Sequence, residues 1–112
     1  FQVVCGSDTL QFAALEAGAV AGVSGNANVV PEIVVALYNA YGSGDKARAQ
    51  QEQARLDLAA QAMGNGGSLA LFKAVGAWRG QRLGSVRAPL PAAHADTVRA
   101  AVDTLIALGI QA

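Results

Sequence analysis

The sequence predicts an α/β fold of the parallel type, in which strand–turn–helix units are followed by a helical tail. Three observations carry this expectation. Gln2–Gly6 and Ala19–Ser24 are short apolar runs bounded by turn residues, the pattern of strands buried on both faces of a parallel sheet. Gly18 separates the helix after the first run from the second run, as a helix-ending glycine does. From Pro31 onward the apolar residues recur at helical rather than strand spacing.

Each element has its own local reason. After the first strand, Ser7 and Asp8 supply N-cap chemistry to a helix through Leu10, Phe12 and Leu15, which Gly18 stops. Pro31-Glu32 opens the next helix, and Ile33, Val34, Leu37 and Tyr41 share one face of it. Gly42-Ser43-Gly44 ends it. Asp45 then caps a polar helix running to about Met63, with Arg48 and Glu52 one turn apart on its exposed side. Gly64-Asn65-Gly66-Gly67 is a turn, and Ser68 caps a helix that places Leu71, Phe72, Val75 and Trp78 together. A loop from Gly80 to about Ala93 holds Pro89 and Pro91, which cannot pair as central strand residues. The last helix puts Val98, Val102, Leu105 and Leu108 on one face, with Arg99 and Asp103 opposite. Two parallel strands cannot satisfy their own edges, so more strands are expected beside them. The chain is expected to be part of something larger.

Composition narrows the partners. Eight basic and eight acidic residues give a net charge of zero, which argues against non-specific binding to nucleic acid or to an anionic membrane. Hydrophobic residues make up 53% and charged residues only 14% of the 112, where about 25% charged is usual. Much of that apolar surface is expected to meet partner strands or subunits. The single cysteine excludes an internal disulfide, and Cys5, inside the first strand, is expected to be a small buried hydrophobe. No run approaches the ~18 apolar residues of a membrane span. A cytoplasmic location is the expectation.

The turn residues sharpen these expectations. Val4-Cys5-Gly6-Ser7-Asp8, followed by Gly18-Ala19-Val20-Ala21-Gly22-Val23-Ser24-Gly25-Asn26-Ala27-Asn28, resembles the last two β/α units of the dihydrodipicolinate synthase/N-acetylneuraminate lyase family. The resemblance continues through Pro31-Glu32, the Tyr38-to-Asp45 helix end and the long helix beyond. It reaches Val86-Arg87-Ala88-Pro89-Leu90-Pro91, which is similar to the family's segment before the last helix. It implies the C-terminal portion of a (β/α)8 TIM barrel, a fold of about 250 residues, followed by a three-helix appendage. Residues 1–44 would be the seventh and eighth β/α units and residues 45–112 the appendage. It also implies a pyruvate-dependent, Schiff-base aldolase, lyase or synthase that needs no cofactor and joins pyruvate to an aldehyde or releases one. A homo-oligomer is implied too.

The family's chemistry uses a lysine at a strand end. The two lysines of this sequence, Lys46 and Lys73, fall on helices, away from the strand end where a desolvated amine attacks a carbonyl. No residue of this chain is therefore expected to be catalytic. The chain is expected to be inactive alone, its catalytic lysine lying upstream in the N-terminal barrel portion, its partner. An alternative is a truncated or split fragment serving as a non-catalytic subunit or interaction module.

In such a barrel, function lies where strands end, and the resemblance implies substrate-binding roles for Gly6, Asp8 and Val23. Gly6 matches a close backbone approach to substrate, Asp8 a contact to substrate hydroxyls in the sugar-acid members, and Val23 the apolar position beside the pyruvyl group. Thr9 stands where those members often have an acidic residue, which weighs against a sialic acid substrate. Other roles are open from the residues themselves. Gly6 fits a tight turn of positive φ, Asp8 an N-cap or a first-turn carboxylate complementing the helix dipole, and Asn26 and Asn28 turns that satisfy local backbone groups. His94 is expected to be a solvated residue near the last helix start, and Phe72 with Trp78 to be core packing. No metal-ligand spacing, phosphate loop or nucleophile–His–carboxylate set occurs.

Overall fold

The computed structural model describes residues 1–112. Strand β1 (Val4–Cys5) leads through a 3₁₀ turn (Asp8–Leu10) into helix α1 (Gln11–Glu16). Strand β2 (Ala21–Gly22) follows, then a second 3₁₀ turn (Asn26–Asn28), and helices α2 (Pro31–Gly42), α3 (Lys46–Ala62), α4 (Leu69–Trp78) and α5 (Ala95–Ala107). The strands pair in parallel, Val4 opposite Ala21 and Cys5 opposite Gly22. Backbone bonds from Val20 to Val3 (2.9 Å) and from Val23 to Cys5 (2.8 Å) extend the ladder at both ends. The regular strands are thus shorter than the apolar runs that announced them. Each has a single neighbour, and only the residues facing that neighbour are held in register.

Helix α1 ends in a Schellman closure. Gly18 lies at φ +98°, its amide bonds Leu15 O at 3.0 Å, and the Ala19 amide reaches back to Ala14 O at 2.9 Å. A residue with a Cβ enters that conformation at a cost. The chain can therefore turn from α1 directly into β2. Backbone bonds of the same kind close α2, α3, α4 and α5. At the other ends, Asp45 accepts from the Arg48 amide at 3.0 Å and Ser68 from the Leu71 amide at 3.2 Å, so both expected caps form.

The core lies among the helices. Its thirteen buried residues include Leu15, Val29, Val30, Ile33, Leu37, Leu56, Met63, Val75 and Leu105, and none comes from β1 or β2. On the strands and their flanks, Val3, Val4, Val20 and Val23 are 41–67% exposed. The open sheet leaves the molecule flattened, with extents of 41 × 31 × 20 Å and a radius of gyration of 14.6 Å, where a globule of this length has about 13 Å. No helix is long and apolar enough to cross a membrane.

Two expectations about local environment are corrected. The Arg48–Glu52 pair is not on an exposed face. The Glu52 side chain is 2% exposed and is held by Arg48 Nε and Arg55 Nη1, each at 2.7 Å. Arg55 Nη2 also donates to the Leu108 carbonyl at 2.6 Å, so the carboxylate organises a tie between α3 and the end of α5. Cys5 is half-buried rather than buried, because its sheet has only two strands. Arg99 and Asp103 are both exposed, opposite the apolar face of α5 as expected, and the four ion pairs lie elsewhere. One of them, Lys46 with Glu16 at 2.7 Å, joins α3 to α1. The hydrogen bond from Lys46 holds the Glu16 carboxyl below its usual pKa, and the same bond raises the Lys46 ammonium above its own.

Candidate functional site

The loops that leave the C-terminal ends of β1 and β2 meet in a cleft of about 460 Å³. The β1 side contributes Gly6, Ser7, Asp8 and Thr9, and the β2 side Gly25 and Asn26. Helix α3, the α3–α4 turn and Phe72 of α4 close the far wall. Asp8 is the sole charged residue among those lining it.

Asp8 makes no N-cap bond, contrary to one of the two roles open from the sequence, but it does stand as the acidic residue in the first turn of its 3₁₀ segment. Its 3₁₀ turn is preceded by Ser7, whose side chain makes no capping bond. Asp8 Oδ2 instead accepts from Asn26 Nδ2 at 2.7 Å and from the Asn26 amide at 3.4 Å. This crosslink joins the two strand-end loops. It also settles which way the Asn26 amide faces, since only the nitrogen can donate to a carboxylate. Asn26 Oδ1 and Asp8 Oδ1 are both buried without a hydrogen-bond partner, and Asn26 as a whole is 4% exposed. Asn26 therefore bonds across the cleft rather than to its own turn. Asn28 does serve its turn, donating to Gly25 O at 3.1 Å.

Gly6 is not among the residues of positive φ, and a Cβ built on it would meet nothing within 4 Å. The tight turn at positive φ, one of the two roles open for it, is absent. Val23 is 67% exposed and lies outside the cleft lining, its amide held by Cys5 O. The structure thus brings Gly6 and Asp8 together and leaves Val23 on the open strand. His94 is exposed at the start of α5 and makes no cap bond. Phe72 packs against the core and also lines the cleft, so it is more than packing.

Sequence reasoning missed Gln53. From α3 its amide donates to the Asp8 carbonyl at 2.9 Å and accepts from the Phe12 amide at 2.8 Å. It ties the start of the 3₁₀ turn and the first turn of α1 to α3. A glutamine in a polar helix carries no local signal of a partner 45 residues away. The two lysines are placed as the sequence reading implied: Lys46 pairs with Glu16, and Lys73 Nζ donates to Ser85 O at 2.7 Å. No cluster of three metal-ligating side chains is present.

The sequence matches the dihydrodipicolinate synthetase family over residues 1–108, and the chain belongs to that family. It is 37% identical over 107 residues to an uncharacterized DapA-like lyase of Halobacterium salinarum, covering 96% of this chain and 35% of the relative. The chain spans about a third of the length of the curated relatives it matches. A monomeric dihydrodipicolinate synthase variant superposes with a TM-score of 0.88 at 28% identity, over 97% of this chain and 36% of that one. Dihydrodipicolinate synthase of Thermotoga maritima superposes at 0.87 and 28%, over 97% and 37%. A 2-keto-3-deoxygluconate aldolase variant of Sulfolobus solfataricus shares the fold, with a TM-score of 0.84 at 22% identity. The family is one of lyases and synthases, and this chain corresponds to about a third of such an enzyme.

Proposed function

We propose that this chain is the C-terminal third of a pyruvate-dependent Schiff-base aldolase, lyase or synthase. Residues 1–44 would form the seventh and eighth β/α units of a TIM barrel and residues 45–112 its helical appendage. The observation that carries the reading is the parallel β1–β2 pair, whose C-terminal ends open into a polar cleft where such barrels do their chemistry. The exposed valines on the strands support it as well, since neighbouring strands and the barrel interior would cover them.

In the complete enzyme an upstream lysine would attack the ketone carbon of pyruvate and lose water to form the Schiff base. Loss of a methyl proton would give an enamine, whose carbon adds to the aldehyde carbonyl; hydrolysis would then free the lysine. This chain would supply one wall of the site, with Gly6, Asp8 and Val23 proposed to bind substrate. The reading carries a cytoplasmic homo-oligomer with it. A non-catalytic subunit is the second reading, favoured by the same open strands.

Borohydride trapping with pyruvate separates them. A full-length protein should gain a pyruvyl adduct on a lysine outside these residues, and the 112-residue chain alone should keep its mass. Lys46 and Lys73 are each engaged by another group and lie on helices, away from the strand ends where a Schiff-base lysine stands. An adduct on either lysine would sink the assignment, and a full-length protein that takes no label would favour the subunit reading.

A further inference from the structure

Helix α1 begins at Gln11, beyond the Ser7-Asp8 pair that offers it a cap in the sequence. The Asp8 carbonyl and the Phe12 amide stand four residues apart, the spacing at which a continuous α-helix joins its own acceptor and donor. Here the Gln53 side chain of α3 bonds both. Its Nε2 donates to Asp8 O at 2.9 Å, and its Oε1 accepts from the Phe12 amide at 2.8 Å. Nε2 also donates to Asp57 Oδ1 at 2.8 Å. With a carbonyl and a carboxylate facing its nitrogen and an N–H facing its oxygen, the amide has one orientation only. The backbone breaks at the same place. The Leu10 amide closes a 3₁₀ turn on Ser7 O at 3.2 Å, and Leu10 itself lies at φ −117°, ψ 8°. A side chain inserted into the helical ladder kinks a helix in this way. The turn that results carries Asp8, whose Oδ2 accepts from Asn26 Nδ2 at 2.7 Å.

We propose that Gln53 is a positioning residue, a wedge from α3 that keeps residues 8–10 out of α1 and so sets where Asp8 stands in the cleft. Without the wedge the Phe12 amide turns to the Asp8 carbonyl. The 3₁₀ turn, whose hydrogen bonds have the poorer geometry, rewinds into the first turn of α1 and carries the carboxylate away from Asn26. Every group in this relay belongs to the residues described, so further strands laid beside β1 and β2 leave it in place. The effect on turnover rests on the aldolase reading above; the rewinding of the turn does not.

The test uses the full-length enzyme. Gln53→Leu keeps the bulk of the wedge and removes its hydrogen bonds. A crystal structure of this variant should show α1 starting before Gln11, a backbone bond from the Phe12 amide to Asp8 O, and Asp8 Oδ2 parted from Asn26. With pyruvate and D-glyceraldehyde as the aldehyde probe, kcat/KM for the aldehyde should fall by about tenfold to a hundredfold, as misplacement of a substrate-side group does. The KM for pyruvate and borohydride trapping should stay as they were. Gln53→Glu still accepts from the Phe12 amide but cannot donate to the Asp8 carbonyl as a carboxylate. It should lose less than the leucine variant, and it serves if that variant does not fold. In an Asp8→Ala background Gln53→Leu should cost little more, because the wedge acts through Asp8; a merely structural role would add its full loss there. An unchanged 3₁₀ turn in the Gln53→Leu structure, or the full loss persisting in the Asp8→Ala background, overturns the proposal. No trapping by the unaltered enzyme overturns the aldolase reading and the effect on turnover, while the turn in the variant structure still decides the wedge.

Discussion

Glu52 shows how a single residue can reverse its expected character. At i,i+4 from Arg48 it has the spacing of a solvent-exposed helix pair, which contributes about 0.3–0.5 kcal/mol. Its burial at 2% exposure and its second partner, Arg55, change that. Replacing Glu52 with alanine removes the acceptor for both guanidinium groups and loosens the hold of Arg55 on the Leu108 carbonyl. A loss of about 1–3 kcal/mol is expected, read by denaturant unfolding. Arg55→Ala should cost more than Arg48→Ala, because Arg55 alone also binds the end of α5. Equal losses for the two arginines would show that the α5 contact contributes nothing.

At the scale of elements, α1 packs against β2 where Gln11 meets Gly22. A Cβ built on Gly22 would lie 2.1 Å from Gln11 Oε1, the far end of a flexible side chain that lines a cleft of about 420 Å³ together with Gly22. The amide can swing into that space, so Gly22→Ala should cost less than the roughly 1–3 kcal/mol of overpacking a closed core. Paired thermal melts of Gly22→Ala with and without Gln11→Ala check this, and a large loss that Gln11→Ala relieves would refute it. The α3 element shows why patterns hide. Its buried face is Ala49, Glu52, Leu56, Ala59 and Ala60, a regular stripe at spacings of three and four. Alanine contrasts little with its neighbours in hydrophobicity and glutamate contrasts in the wrong direction, so the face looks solvated in the sequence.

Across the whole molecule, what was legible followed from local rules. The helix ends at Gly18 and Gly44, the caps at Asp45 and Ser68, and the parallel order of two short strands each have their cause within a few residues. The family resemblance, resting on ordered turn residues, holds over nearly the entire chain. What was not legible depends on pairs far apart in sequence. The Asp8–Asn26 crosslink spans 18 residues and the Gln53–Asp8 contact 45. Asp8 and Asn26 are each good local cap or turn formers, and nothing in their neighbourhoods signals that they would choose each other.

The placement of the core has a consequence for how the chain opens and closes. Its buried residues come from the helices and the Val29–Val30 connection, with none from β1 or β2. Protection against amide hydrogen exchange should follow that division. In the isolated chain, amides of α2, α3 and α5 should exchange last, and those of Val20 and Val23 orders of magnitude sooner, although both form good backbone bonds. Exchange measured residue by residue would show this, and slow strand amides would refute it. The strands would then be the late-setting part of the molecule, ordered fully only when other strands are laid against them.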